Sequence, residues 1–170
     1  MSRTMAARTI RPQPLTTEAF APFGEVIAAG EGECLMINEG TTERFNDLAE
    51  IDVGTQGGRP ILNIFRAQPR ALPLPIHMVE RHPLGSQTFV PLGPAPFLVL
   101  VAPPGDTVTP ADLRAFRTTP GQGVNYRRGT WHHPLIALDK VSEFLVIDRG
   151  GPGENCYEIQ FDETDILLDA

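Results

Sequence analysis

The chain has 170 residues, 41% of them hydrophobic and 21% charged, with a formal net charge of −7. This length suits one domain that buries about 70% of its unfolded surface, and the composition excludes a disordered chain. The acidic balance, with no basic stretch, argues against a nucleic-acid binder, and the longest apolar run, Phe97 to Ala102, is too short to cross a bilayer.

Residues 1–9 lack the apolar core of a signal peptide and read as a loose tail, to about Arg8, ahead of a single domain over 10–170. Thr16 to Phe20 predicts a short helix with a threonine N-cap, ended by Pro22 and Gly24. Strands are predicted near 34–38, 60–67, 74–82, 87–92, 97–102, 114–118, 123–127, 133–138, 142–148 and 155–161. Arg44 to Leu48 reads as a single turn, and Thr109 to Leu113 as a second short helix with proline at its first position. The 17 prolines and 16 glycines fall between short apolar runs. That punctuation predicts an all-β sandwich or jelly roll with a few short helices.

Phe97 to Val101 is apolar on both faces, so it needs cover on both sides, from a second layer or from a partner subunit. The last ten residues mix Ile166, Leu167 and Leu168 with charges, and their polarity does not decide whether they dock. Cys34 and Cys156 stand apart, with no C-x-x-C pair. They read as two free thiols of a reducing compartment, and the cytoplasm is the expected location.

Two segments carry chemistry. Side chains alternate faces along a strand, so Leu74, Ile76, Met78, Glu80 and His82 share one face that is apolar and then abruptly polar. If that face points inward, a carboxylate and an imidazole meet near one mouth of the fold, which is costly unless they are paired or liganded. At a fraying strand end the same residues would simply face solvent. A turn over 83–86 makes the segment hairpin-like, so Gln87 faces back toward His82. Farther on, a turn centred on Gly129 delivers Trp131, His132 and His133 into a strand. Only one of the two histidines can face inward, and hydrophobicity does not choose between them.

Together the segments resemble the two cupin motifs. Glu80-x-His82 with Gln87 stands where the first motif has His-x-His and a glutamate. Arg127-x-Gly129-x-x-His132 stands where the second has Pro-x-Gly-x-x-His, and this spacing selects His132 over His133. The resemblance implies a cupin-type jelly-roll barrel and a candidate divalent-metal set of His82, Gln87, His132 and Glu80. Two of the four positions depart from the family pattern, His to Glu and Glu to Gln. Such a mixed nitrogen and oxygen set does not choose among manganese, iron, nickel and zinc.

A more specific resemblance rests on blocks spread over residues 10 to 160. They include Ile37-Asn38-Glu39-Gly40, Glu80 to Pro91, Gly121 to Tyr126, Trp131 to Leu135 and Ile147 to Gly151. In order and spacing these are similar to ureidoglycolate lyase, formerly called ureidoglycolate hydrolase. The resemblance implies a homodimer that cleaves (S)-ureidoglycolate to glyoxylate and urea in allantoin breakdown. Nickel has been associated with that family, and no organic cofactor is implied.

The reaction needs a base for the substrate hydroxyl, an acid for the departing nitrogen and a holder for the carboxylate. His132, His82 and Glu80 are the acid/base candidates, the glutamate on the expectation of a raised pKa. Arg66 is the candidate carboxylate clamp, because it ends a face of Leu62, Ile64 and Arg66 with the same apolar-then-polar pattern. Asn38, Asn125 and Gln87 are candidates to bind the rest of the substrate. Arg81 lies on the face opposite His82 and is expected in a structural ion pair. The competing readings are a cupin enzyme for another small hydroxy acid or ureide, and a non-catalytic cupin that binds a small molecule.

Overall fold

The computed structural model describes residues 8–161 and 166–170. Its secondary structure is almost entirely β. The one α-helix among the described residues, Thr17–Phe20, starts where the Thr16 side chain accepts the Ala19 backbone N–H. The predicted second helix is a 3-10 turn at Pro110–Asp112, capped reciprocally by Thr109 and Asp112.

Two sheets face each other. The first has five strands in the spatial order Gly24–Ile27, Gly123–Tyr126, Gln87–Pro91, Ser142–Gly150 and Arg59–Ala67. The second runs Tyr157–Gln160, Met78–Arg81, Trp131–His132, Phe97–Ala102, Arg114–Arg117 and Gln13–Pro14, with Ile136–Ala137 pairing Phe97–Ala102 off that path. Side chains from the two inner faces interdigitate, as in a cupin-like jelly roll. Among the described residues the sheets stay separate and do not close into one hydrogen-bonded ring.

The inner core contains Phe97, Val99, Val101, Phe116, Phe144 and Val146. Phe97 and Phe144 meet edge to face with centroids 5.1 Å apart, a geometry that adds to area burial. A third sheet lies outside the second. It joins Arg8–Ile10, Ile166–Leu168 and Leu74–Pro75, and buries Leu98, Leu100 and Ala102 beneath it. The doubly apolar strand is therefore covered on both faces within one chain, and no partner is required there. Ile166 and Leu168 dock fully.

Several expectations are corrected. Arg8 opens a strand instead of ending a tail, and residues 1–7 lie outside the described residues. Arg44 to Leu48 is not a turn, because Thr42–Asn46 pairs antiparallel with Glu33–Ile37 in a separate two-stranded hairpin. The strand predicted over 133–138 is two short pieces, Trp131–His132 and Ile136–Ala137, flanking Pro134. The strand predicted over 74–82 is also two pieces in different sheets, Leu74–Pro75 and Met78–Arg81. The break resets the alternation of faces. Ile76 and Val79 both enter the outer core, and Glu80 lies on the opposite side of the sheet from Val79. The turn over 83–86 does not close a hairpin. It carries the chain from the second sheet to the first, so Gln87 faces the Glu80 strand across the fold.

Candidate active site

The register of the second sheet pairs His132 with both Glu80 and Val101. Val101 points into the inner core, and residues opposite one another share a face. Glu80 and His132 therefore point inward together, while their neighbours Val79 and Trp131 point to the outer core. Gly129 makes this local arrangement with a φ of 80°, a backbone conformation that suits glycine. Its N–H donates to the His82 carbonyl at 2.9 Å, tying the two motifs together.

Three side chains converge. His132 Nε2 lies 3.5 Å and His82 Nε2 4.0 Å from Glu80 Oε1, and the Tyr126 ring stacks on His132 at 4.5 Å. His82 Nδ1 sits 2.6 Å from the Asn155 carbonyl, and His132 Nδ1 sits 3.0 Å from the Thr130 carbonyl. A carbonyl only accepts, so each Nδ1 carries a proton and donates it. In the neutral ring each Nε2 is then a bare lone pair, and both Nε2 atoms are buried without a partner. The close approach of His132, 3.5 Å away, holds the Glu80 carboxyl below the ordinary carboxylate range. Burial lowers the His82 imidazole, with the neighbouring His132 adding to it. Glu80 is thus an ionised carboxylate near neutral pH, and the raised pKa expected of it is not found.

Gln87 completes the group from the opposite sheet. It is buried, and its Nε2 donates to Asp148 Oδ1 at 2.8 Å. Asn63 Nδ2 donates to the other Asp148 oxygen at 3.1 Å. Gln87 Oε1 is buried and without a partner. Glu80, Gln87 and His132 line a cleft of about 340 Å³ with Phe65, Phe89 and Leu135, large enough for a small organic acid.

The donor atoms of Glu80, His82 and His132 all lie within 4.8 Å of one another. Two bare imidazole nitrogens aimed at a carboxylate repel unless a cation or a proton lies between them. Both rings are also fixed by backbone carbonyls at their far nitrogens, the usual support of metal-ligating histidines. These residues fit a divalent metal. Gln87, the fourth member of the expected set, offers only a neutral amide oxygen.

The other candidates are placed elsewhere. Arg66 reaches the cleft rim, but its even-numbered face points outward, and its guanidinium pairs with Glu143 at 3.0 Å with 70% of the side chain exposed. Asn125 lies on the outer side of its sheet, bonded to Thr88, Glu25 and the Glu50 carbonyl. Asn38 sits at the exposed tip of the two-stranded hairpin, its amide donating to Thr42. His133 bonds through Nδ1 to the Pro134 carbonyl, outside the Glu80 cluster. Arg81 pairs with Asp106 at 3.4 Å and lies over the Trp131 ring.

Asp148 and Asn63, which hold Gln87 from behind the cleft, are polar residues that sequence reasoning passed over. A usable signal existed for Asp148: Phe144, Val146 and Asp148 share a face that is apolar and then polar.

Fold and pocket together define a cupin-like β protein with an inward histidine and carboxylate centre suited to enzyme chemistry on a small molecule. The chain belongs to the ureidoglycolate lyase family, whose profile matches residues 7–168. It is 55% identical over 162 residues to a ureidoglycolate lyase of Burkholderia mallei (strain NCTC 10229), covering 95% of each chain. It is 51% identical over 161 residues to that of Stutzerimonas stutzeri (strain A1501), and 49% identical over 161 residues to that of Pseudomonas entomophila (strain L48). The first of these alignments covers 95% of each chain, and the second 95% of this chain and 96% of the relative.

Proposed function

We propose that this protein is a ureidoglycolate lyase, cleaving (S)-ureidoglycolate to glyoxylate and urea, with residues 10–170 as its catalytic domain. The observation that carries the reading is the convergence of Glu80, His82 and His132, with two unpartnered imidazole nitrogens, inside a chain of this family.

The substrate carries a hydroxyl, a carboxylate and a ureido nitrogen on one carbon. As the hydroxyl oxygen becomes the aldehyde oxygen, its proton leaves and the carbon–nitrogen bond breaks. The nitrogen must gain a proton to depart as urea, so the net reaction moves one proton. Glu80, ionised and inward, is placed to take the hydroxyl proton, and His132 at 3.5 Å is placed to relay a proton to the nitrogen. His82, held by the Asn155 carbonyl, sets a second imidazole nitrogen 4.0 Å from the same Glu80 oxygen. Were a divalent metal held by Glu80, His82 and His132, it would supply positive charge for the substrate carboxylate and hydroxyl, with these side chains serving as its ligands in place of the proton transfers just described. Phe65, Phe89 and Leu135 keep the cleft apolar around these groups, which strengthens each charge interaction within it.

Purified protein incubated with ureidoglycolate should release glyoxylate and urea in equal amounts, without ammonia. Ammonia in place of urea would mean amide hydrolysis and would overturn the reading.

The active form is a homodimer in this proposal, and the enzyme works in the cytoplasm, in keeping with the free, exposed Cys34 and Cys156. No helix among the described residues is long and apolar enough to cross a membrane. The support for a dimer is not the buried 97–102 strand but the outward face of Arg59–Ala67. Leu62 and Ile64 are 67% and 55% exposed there, beside partly buried Leu145 and Ile147. Contiguous apolar patches of this kind mark interaction surfaces. Light scattering should give twice the chain mass, and Leu62→Asp with Ile64→Asp should give one chain mass. A wild-type monomer at micromolar concentration would refute the dimer.

A further inference from the structure

Asp148 is a half-buried carboxylate that the proton transfers above do not use. Its two oxygens accept from Gln87 Nε2 at 2.8 Å and from Asn63 Nδ2 at 3.1 Å. A carboxylate has no hydrogen to give, so it dictates the orientation of each amide that it touches. The Gln87 amide is planar. Once its NH2 group is committed to Asp148, its carbonyl oxygen must face the other way. That oxygen is buried and has no partner, and Gln87 lines the cleft with Glu80 and His132. Buried acceptors without partners are rare in folded proteins and imply a missing donor.

We propose that Asp148, braced by Asn63, is a positioning residue that makes Gln87 a fixed hydrogen-bond acceptor for the ureido N–H of the substrate. This rests on the ureidoglycolate reading and deepens it, since it states which end of the substrate the site selects. Glu80 addresses the hydroxyl, and a metal held by Glu80, His82 and His132 would address the hydroxyl and carboxylate together, groups that any small 2-hydroxy acid carries. Gln87 Oε1 addresses the part that only a ureide carries. A pocket with a buried acceptor rejects a ligand that lacks the matching donor, because the acceptor stays unpaired.

The test compares two ligands in the full-length protein. Glycolate shares the hydroxyl and carboxylate of ureidoglycolate and lacks the ureido group. Asp148→Asn can turn an NH2 toward Gln87 and free its amide to rotate. KM for ureidoglycolate should rise about tenfold to a hundredfold, while the inhibition constant of glycolate stays unchanged. Asn63→Ala, farther from the cleft, should show the same split at smaller size and guards against a misfolded Asp148 variant. In protein labelled with 15N-glutamine, the Gln87 side-chain NH2 signal should exchange slowly in the wild type and shift in Asp148→Asn. Equal weakening of both ligands would place Gln87 on a metal or in the fold, and would overturn the proposal. An unmoved KM or an unmoved amide signal would do the same. If the wild type released no glyoxylate at all, the lyase reading would fall, and the amide signal would still judge the Asp148–Gln87 coupling.

Discussion

The two faces of the same strands differ in what their polar atoms do. On the outer side, Arg81 and Trp131 both donate to the Gly105 carbonyl, Thr88 donates to Asn125, and Arg149 binds the Thr55 and Pro152 carbonyls. Among the described residues, Arg81 Nε alone is left without a partner on this side, above the Trp131 ring. On the inner side, one residue away in each case, His82, His132 and Gln87 each keep a buried atom unpartnered. Hydrogen-bonding capacity is used up where it holds the fold and left over where it can meet a ligand. The site is recognised less by residue type than by unmet bonding.

The largest expected effect breaks the inner face at its centre. His132→Ala should lower turnover by about 10²–10⁴-fold, the usual loss for an acid/base residue, while thermal unfolding still shows a cooperative folded domain. His133→Ala should cost much less in turnover, because its ring bonds the Pro134 carbonyl outside the Glu80 cluster. Steady-state rates for the two variants decide between them. A reversal would rebuild the pocket around His133.

A middle-sized effect comes from the outer face and should fall on stability alone. Asn125 is 1% exposed and ties together Thr88, Glu25 and the Glu50 carbonyl. Asn125→Ala strands those partners, at about 1–3 kcal/mol for a buried group left unsatisfied. Urea unfolding should show a lower midpoint with an unchanged slope, and kcat should hold. A variant with wild-type stability and lost activity would move Asn125 to the substrate.

Much of this was legible in the sequence, and its failures have a common physical source. Strand existence followed from apolar alternation and Pro/Gly breaks, so Arg59–Ala67, Gln87–Pro91, Phe97–Ala102 and Ser142–Gly150 stand near their predicted bounds. The spacing Gly129-x-x-His132 selected the histidine that the structure turns inward beside Glu80. Facing was harder to read, because parity holds only while a strand runs unbroken. The break between Pro75 and Met78 shifted the phase, so Glu80 and His82 point inward while Ile76 lies in the outer core. The missed strands Arg8–Ile10 and Gln13–Pro14 are too short to show alternation and exist because the third sheet and the edge of the second need them. Asp148 was hidden because a carboxylate after Val146 looks like a strand end until Gln87 and Asn63 are seen to meet it.

The smallest expected effect tests the case in which the pattern pointed the wrong way. Leu62, Ile64 and Arg66 show the same run of apolar then polar residues as Phe144, Val146 and Asp148, yet one face points out and the other in. The register explains why. Phe144 and Val146 are fully buried and pair with Phe65 and Asn63, so the odd positions of the edge strand go inward, where Phe65 meets the Phe89 ring at 5.9 Å. Arg66 is left outside with Glu143, in a pair whose side chains are 70% and 44% exposed. Such surface pairs contribute about 0–1 kcal/mol, and lysine keeps the charge. Arg66→Lys should therefore change kcat/KM and unfolding free energy by no more than about that amount. A tenfold rise in KM with kcat intact would mean that the guanidinium leaves Glu143 and swings over the rim to clamp the substrate carboxylate, where the bidentate fork of arginine is not replaceable by lysine.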